Sequence, residues 1–586
     1  MGHLYVAQGD LTLLSADAIA YSTDRALSVG GQLTSAFEAN LPTFRAQYAA
    51  LSKEHGPRRP EPGSAFWLPM SGDKPRGVVV TIATGSKLAR VVRAYAAVQG
   101  ALACAAKNLA EAKVKKPWLI ALPAFLTGDG GARHDRLLVA EPQIEAARAF
   151  LSTHDDVDVA FVPYTEATYQ VYLEARRLVL SRTRPSRPSS IEPPQALVDA
   201  LRCGECVLFV GSGVSAGSGL PGWSSLIEEL ADDLGIDRAA RRDDLDYFLD
   251  LAQWYRDERR KPPLSQRIQR RFSVASSGAR PTLSHYLLTS LPIRYVVTTN
   301  YDDLLETSLE ALRRHPVRVV TERDVANTGG ADGCYVVKFH GDAVTRRAIV
   351  LSRDDYDGFF RKRPAMALLL EGLLLNQSFF FVGYGLRDPD FRQIYHRIAF
   401  MLRGAKRPAF ATTFDAPTDH PKKQWRNKHL ELIDVPGESF GDKTRALDLF
   451  LDRLAERVAE DPQLFLADDV ERPLAEHVQK VREQLLSTTP SLVAAALHGA
   501  QASPSEIRAL AEVLRFLASR GWRGDHAGQL GVLFAALAAH PGLSETEQKN
   551  LLVSALRYTE SSREAKRLRD AIERRETRGK LGRPRD

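Results

Sequence analysis

Four short runs in the middle of the chain, VLFV (207–210), YVVT (295–298), YVVKF (335–339) and SFFFV (378–382), each break off into a turn bearing glycine, asparagine or histidine. Largely apolar runs of four or five residues, without alternation, suit strands buried on both faces. Parallel sheets contain such strands because crossover helices cover both sides. The N-terminal block repeats the pattern with VVVTIA (78–83), WLIALP (118–123) and DVAFVP (158–163). Helical stretches are predicted over about 88–113, over 141–152, and after 163 through 174. Two α/β blocks follow, each with a parallel sheet.

Between them lies SRTRPSRPSSIEPP (181–194), with four Pro, four Ser and three Arg in fourteen residues. Proline removes donors and serine adds no apolar area, so this stretch predicts an extended linker. After about residue 460 the strand pattern stops. AEHVQKVREQLL, SEIRALAEVLRFLA, QLGVLFAALAA and KNLLVSALRY carry apolar residues three and four apart, which predicts an all-helical C-terminal domain. The expected organisation is an N-terminal domain over 1–180, a linker over 181–194, a central domain over 195–455, and a helical domain over 456–586 ending in the basic tail ERRETRGKLGRPRD.

Composition narrows the function classes. Of 586 residues, 44% are hydrophobic and 26% charged, which excludes a disordered or fibrous chain. The net charge of +7, spread over this length, suits a polyanionic ligand such as a dinucleotide and does not call for nucleic acid. Four cysteines are too few for a disulfide scaffold. The start MGHLYVAQGD has no signal-peptide pattern, and no segment approaches the ~20 apolar residues of a membrane span. A soluble cytoplasmic protein with no membrane contact is expected.

The strand ends carry the chemistry. VLFVGSGVSAGSGLPGW (207–223) runs from a strand into Gly211-Ser212-Gly213, where glycines permit a sharp turn and close approach of a diphosphate. VVTTNYDD (296–303) places Asn300 and Asp302 just past the carboxyl end of a strand, where ligands bind in open parallel sheets. VVKFHGD (336–342) ends a strand at His340, and FFFVGYGLRDPDF (379–391) runs into another glycine turn. Each alone occurs as a plain packing turn or helix cap. Four of them, at corresponding places and in one order, point to a nucleotide site with a bond-cleaving centre.

This ordered set resembles the sirtuin family, and most closely the zinc-free sirtuin-like effectors of bacterial antiphage systems, over about residues 195–455. GSGVSAGSGLPGW is similar to the family's glycine-alanine-glycine loop and SGIP stretch, TTNYD to TQNID, and FHG to the catalytic His-Gly. The resemblance implies a Rossmann-like domain that takes NAD+ as substrate. Gly211, Ser212, Gly213 and Ser215 would cradle the diphosphate, with Pro221 and Thr299 in the same loops. Trp223 stands where sirtuins carry a phenylalanine near the nicotinamide. Asn300 and Asp302 would position the ribose and the attacking water, and His340 would be the general base at the ribose. Gly383, Tyr384 and Gly385 would lie near the adenosine half. No cysteine stands between His340 and residue 455, whereas deacylating sirtuins carry a four-cysteine zinc module after that histidine. No zinc is expected, and water is the expected acceptor.

Residues 1–180 resemble the macro domain family. Gly9-Asp10-Leu11-Thr12 is similar to its GDIT, DAIAYSTD (17–24) stands where DAIVNAAN usually stands, and LTGDGGA (126–132) is similar to its phosphate-binding loop. The resemblance implies an α/β/α fold that binds ADP-ribose or a related nucleotide, with Asp10 at the adenine and Thr127, Gly128, Asp129, Gly130 and Gly131 at the phosphates. Tyr21-Ser22-Thr23-Asp24 replaces the family's asparagines, which counts against ADP-ribosyl hydrolysis. Together the resemblances imply an NAD+ hydrolase acting as an antiphage effector, regulated by a nucleotide-sensing macro-like domain. A homo-oligomer and a trigger from phage or the defence system are also expected. Two alternatives stay open: a protein deacylase or ADP-ribosyltransferase coupled to an ADP-ribose-binding module, and a non-enzymatic NAD or ADP-ribose scaffold.

Overall fold

The computed structural model describes residues 2–572 apart from 29–31, 73, 85–88, 128–135, 183–190, 222, 238–241, 243, 330–333, 385–391, 393–394, 397–406, 415–418, 438, 460–503, 505–506, 508–510, 512–513, 515–528, 558, 560–562 and 564. The chain divides into two compact units, one of Met1–Val6, Asp17–Ser186 and Ala459–Asp586, the other of Ala7–Ala16 and Arg187–Val458. The division after residue 186 falls inside the stretch predicted as a linker. Residues 7–16, which include Asp10, count with the second unit.

The first unit is built on six strands: β1 (Leu4–Val6), β2 (Ala18–Asp24), β3 (Ala65–Pro69), β4 (Gly77–Thr84), β5 (Trp118–Leu122) and β6 (Val157–Phe161), in the order β1-β6-β5-β2-β4-β3. All neighbours are parallel except the edge pair β3 and β4. Successive side chains of a strand point to opposite faces, and both faces are covered. On one, Ala18, Ala20, Val79 and Ile120 meet Ala97, Ala101 and Ala105 of the helix Arg90–Glu111, whose small side chains let it lie close to the sheet. On the other, Tyr21 meets Phe37, Phe44 and Tyr48 edge-on at 5.1–5.3 Å. The sequence helix expected from 141 starts earlier, at Arg136, and carries Pro142 inside it. Near the C-terminus, the helices Gln529–Ala538 and Glu545–Arg557 share an apolar cluster with Ile507, Leu514 and Leu568.

The second unit holds a seven-stranded, wholly parallel sheet: β7 (Cys206–Val210), β8 (Tyr295–Thr298), β9 (Pro316–Val319), β10 (Cys334–Lys338), β11 (Ser378–Val382), β12 (Ala409–Thr413) and β13 (Leu430–Asp434), in the order β13-β12-β11-β7-β8-β10-β9. One face packs Phe209, Phe379 and Phe381 with Leu370 and Leu374 of the helix Pro364–Asn376. On the other, Phe380 meets Phe450 of the helix Phe440–Val458. The chain leaves β7 toward β8 and β10, then returns to lay β11 on the other side of β7. The strand order therefore reverses at β7 and β11, and the crevice beyond the carboxyl ends of such strands is where open α/β sheets bind ligands. Among the described residues, no helix is long and apolar enough to cross a membrane.

Candidate active site

A cleft lies at these strand ends. It is lined by Ser212, Ser215, Ala216, Leu220, Pro221, Leu226, Phe272 and the run Thr299-Asn300-Tyr301-Asp302. Of the residues expected to bind or act on a nucleotide, Ser212, Ser215, Pro221, Thr299, Asn300 and Asp302 come together here. Leu220, Leu226 and Phe272 form an apolar wall that sequence reading did not identify.

Asn300 is fixed by the end of its own strand. The Thr298 hydroxyl donates to the Val210 carbonyl at 2.8 Å and accepts the Asn300 N–H at 3.0 Å. The Asn300 side-chain amide donates to the Gly211 carbonyl at 3.2 Å and to the Ser215 hydroxyl at 3.0 Å. A carbonyl only accepts, so this contact sets the orientation of the amide. Its Oδ1 is buried with no hydrogen-bond partner among the described residues. Buried polar atoms are rarely left unpaired, so this oxygen is available to a ligand group or a water.

Asp302 is 4% exposed. Burial pushes its carboxyl up to about 6, against the pull of the Lys338 ammonium, the Ser215 hydroxyl and the Leu304 N–H, while Glu306 adds to the rise. The Ser215 hydroxyl thus accepts from Asn300 and faces Asp302. A carboxyl group in this range changes charge near neutral pH, as suits stabilisation of a developing cation.

The glycines serve a purpose beyond the one read from sequence. The Gly211 N–H donates to the Val382 carbonyl at 2.9 Å and the Gly213 N–H to the Gly383 carbonyl at 3.0 Å. A Cβ at Gly211 would lie 2.4 Å from the Gly383 oxygen, and one at Gly213 would lie 2.9 Å from the Gly383 Cα. Both glycines therefore admit the turn after β11, and these two N–H groups are already engaged. The helix that follows is a single turn, Ser212–Ser215, continued by one 3-10 turn. Gly383 adopts φ +62°, and a Cβ there would meet the Val214 nitrogen at 2.6 Å. The Tyr384 ring lies tilted against Phe209, with centroids 4.6 Å apart. Trp223 opens the helix Trp223–Asp233; Gly385 and the Trp223 side chain lie outside the described residues.

His340 follows β10, beside β8 in the same layer of strand ends. It is 1% exposed and is not among the residues lining the cleft. The chain turns back over it: Gly341 takes φ +96°, the Val350 N–H donates to the His340 carbonyl at 2.9 Å, and the Tyr356 ring meets the imidazole edge-on at 5.4 Å. Cys203 is exposed, while burial pushes the Cys206 thiol up to about 12.

Asp10 caps a short turn. Its carboxylate accepts the Thr12 N–H at 2.9 Å and the Thr12 hydroxyl at 2.6 Å, and the Tyr286 hydroxyl donates to its carbonyl at 2.7 Å. In the first unit, the Thr127 hydroxyl donates to the Ala124 carbonyl at 2.8 Å. The preceding turn is held by Gln143, which bonds both the N–H and the carbonyl of Phe125. Gly128, Asp129, Gly130 and Gly131 lie outside the described residues. Tyr21 is a core residue at 2% exposure bonded to Thr34 at 2.6 Å.

Residues 294–433 match the family model described as a SIR2-like domain. The chain is 32% identical over 203 residues to the "NAD(+) hydrolase ThsA" of Cytobacillus dafuensis, covering 35% of this chain and 40% of that one. It is 30% identical over 267 residues to the ThsA of Acinetobacter baumannii, covering 43% and 54%. The chain thus spans about half or less of the length of these curated relatives. A solved structure titled as an Oceanobacillus iheyensis macrodomain with ADP aligns with 31% of this chain and 93% of its own, at 17% identity and a TM-score of 0.27.

Proposed function

We propose that the second unit hydrolyses NAD+ to nicotinamide and ADP-ribose. The observation that carries this reading is the cluster of Asn300, Ser215 and Asp302 in a cleft at the strand ends that Leu220, Leu226 and Phe272 also line. The SIR2-like match and the relatives named as NAD+ hydrolases support the choice of substrate.

Cleavage breaks the bond between the nicotinamide nitrogen and the ribose carbon, and the electron pair leaves with the nicotinamide. The sugar develops positive charge, as in glycoside cleavage. Ionised Asp302 stabilises that charge, and Asn300 orients the water through its unpaired Oδ1. The water adds to the ribose carbon and gives one proton to the proposed base, which releases it to solvent. His340, buried and not among the residues lining the cleft, is proposed as the base at the ribose, and its own variant tests that role. Ser212 and Ser215 are assigned to the diphosphate, and Gly383, Tyr384 and Gly385, the last outside the described residues, to the adenosine half. Residues 195–455 are proposed as the catalytic domain.

The same reading makes residues 1–180 a macro-like module that takes an ADP-ribose-like nucleotide and regulates an antiphage effector, with 456–586 a helical domain in a homo-oligomer. The test is product chromatography after incubation with NAD+. Free ADP-ribose and nicotinamide, lost in Asp302→Asn and in His340→Ala, support the reading. O-acyl-ADP-ribose formed only with an acylated peptide would replace hydrolysis by deacylation.

A further inference from the structure

We infer that Lys338 is a positioning residue for this site: its buried ammonium ties down the backbone of the Tyr301–Asp302 turn and so holds the Asp302 carboxylate at the cleft. The inference rests on the reading that Asp302 acts on NAD+.

Lys338 is the last residue of β10 and is fully buried in a strand that is otherwise Cys334, Tyr335, Val336 and Val337. A buried ammonium costs several kcal/mol unless well paired, and an apolar residue would fill a central parallel strand without that cost. Lys338 Nζ donates to the carbonyl of Tyr301 at 3.3 Å and to that of Asp302. It pairs with Glu306 at 3.2 Å and with Asp342 at 3.3 Å. Glu306 is fully buried on the helix Leu304–Ala311, directly after Asp302. Arg318 of β9 reaches the same Glu306 oxygen at 3.5 Å. Three elements therefore converge on the turn that carries Asn300 and Asp302.

The charges set the ionisation of Asp302. Burial opposes charge on Lys338, but Glu306, Asp342 and Asp302 together hold its ammonium above the usual value. Facing Asp302 are Lys338 from β10, Glu306 from the following helix, the Ser215 hydroxyl and the Leu304 N–H. Lys338 favours the carboxylate and Glu306 opposes it, so removing either charge moves Asp302 in a predictable and opposite direction.

The experiment compares the full-length parent with Lys338→Met, Lys338→Arg and Glu306→Gln. One readout is the pH profile of kcat/KM for NAD+ cleavage. The other needs no turnover: the difference in melting temperature between each protein and its Asp302→Asn partner, followed against pH, reports the Asp302 titration. Lys338→Met is expected to move both curves up by about one pH unit or more, the size usual for losing an opposite charge at this range. Lys338→Arg should keep most of the parental profile, and Glu306→Gln should move both curves down. Curves that stay put in both Lys338→Met and Glu306→Gln would overturn the inference. If Lys338→Met does not fold, Glu306→Gln decides alone by the sign of its shift. A parent that never cleaves NAD+, with the expected melting shifts intact, would remove the proposed activity and leave the positioning role of Lys338 standing.

Discussion

The Asn300 side-chain amide donates to the Ser215 hydroxyl across 3.0 Å, joining the end of β8 to the single helical turn after β7. Residues 85 positions apart thereby share one wall of the cleft, and the same hydroxyl faces Asp302. Ser215→Ala would leave the Asn300 amide with the Gly211 carbonyl alone and remove a contact that favours ionised Asp302. Losing one buried hydrogen-bond partner costs about 1–3 kcal/mol, so kcat/KM for NAD+ should fall roughly 10- to 100-fold. Steady-state kinetics check this, and an unchanged kcat/KM would rule out a working role for the contact.

The raised carboxyl of Asp302 makes the cleft a source of instability at neutral pH. Its folded value of about 6 lies above the ordinary 3.8. Its contribution to stability is therefore fully present below 3.8 and is lost as pH rises through about 6. Asp302→Asn carries no such titration. The variant should melt higher than the parent at pH 7.5, with a gap on the order of 2–3 kcal/mol that closes as pH falls toward 4, while losing NAD+ cleavage. Calorimetry across pH 4 to 8 checks the sign, and a gap that widens toward low pH would refute it.

Where Gly211 meets Gly383, at the turn after β11, there is no room for a side chain on either residue. Gly383→Ala would place a Cβ at 2.6 Å from the Val214 nitrogen in a left-handed conformation, a penalty of about 1–2 kcal/mol from the backbone alone. Gly211→Ala would meet the Gly383 oxygen at 2.4 Å. Both variants should lower the melting temperature and disturb the cleft together, since Gly211 also supplies the carbonyl that orients Asn300. Gly372→Ala, in the helix Pro364–Asn376, serves as the comparison, because a Cβ there meets nothing within 4 Å and the backbone is not left-handed; thermal denaturation of the three would show the order.

In the first unit, Tyr21→Ala removes the centre of the cluster with Phe37, Phe44 and Tyr48. Truncating a buried aromatic costs about 3–5 kcal/mol. Tyr21→Phe keeps the ring and loses only the hydroxyl's bonds, to Thr34 and Tyr48, about 1 kcal/mol each. Denaturant unfolding separates the two, and equal losses would mean that the hydroxyl, not the ring, is what matters at this position.

The strand-end residues were legible because a parallel sheet delivers its ligand contacts where an apolar run stops, and Ser215, Asn300 and Asp302 each stand there. Strands β8 and β11 coincide with the runs read from sequence, since buried central strands leave a near-continuous apolar signal. Strands β1, β2, β3, β9, β12 and β13 escaped notice: AIAYSTD and AFATT mix small and hydroxyl residues, and Tyr21 looked like a changed ligand position until its aromatic neighbours came from two helices. Phe272 and Leu226 reach the cleft from helices remote in sequence, so only packing reveals them. The signal for Lys338 was present, a lone charge in an apolar strand, but its meaning depended on Glu306 and on the Tyr301–Asp302 carbonyls. The purpose of Gly211 and Gly213 was equally hidden, because a turn that admits a neighbouring backbone has the same residues as one that admits a phosphate.

The most direct measurement is NAD+ turnover by the full-length protein beside Asn300→Ala, with products resolved by chromatography and with ADP-ribose and related nucleotides added in turn as candidate activators. The account predicts nicotinamide and free ADP-ribose in equal amounts from the parent, and at least a 100-fold loss in Asn300→Ala, about 2.7 kcal/mol, with the variant still folded by circular dichroism. Undiminished NAD+ cleavage by Asn300→Ala would contradict it.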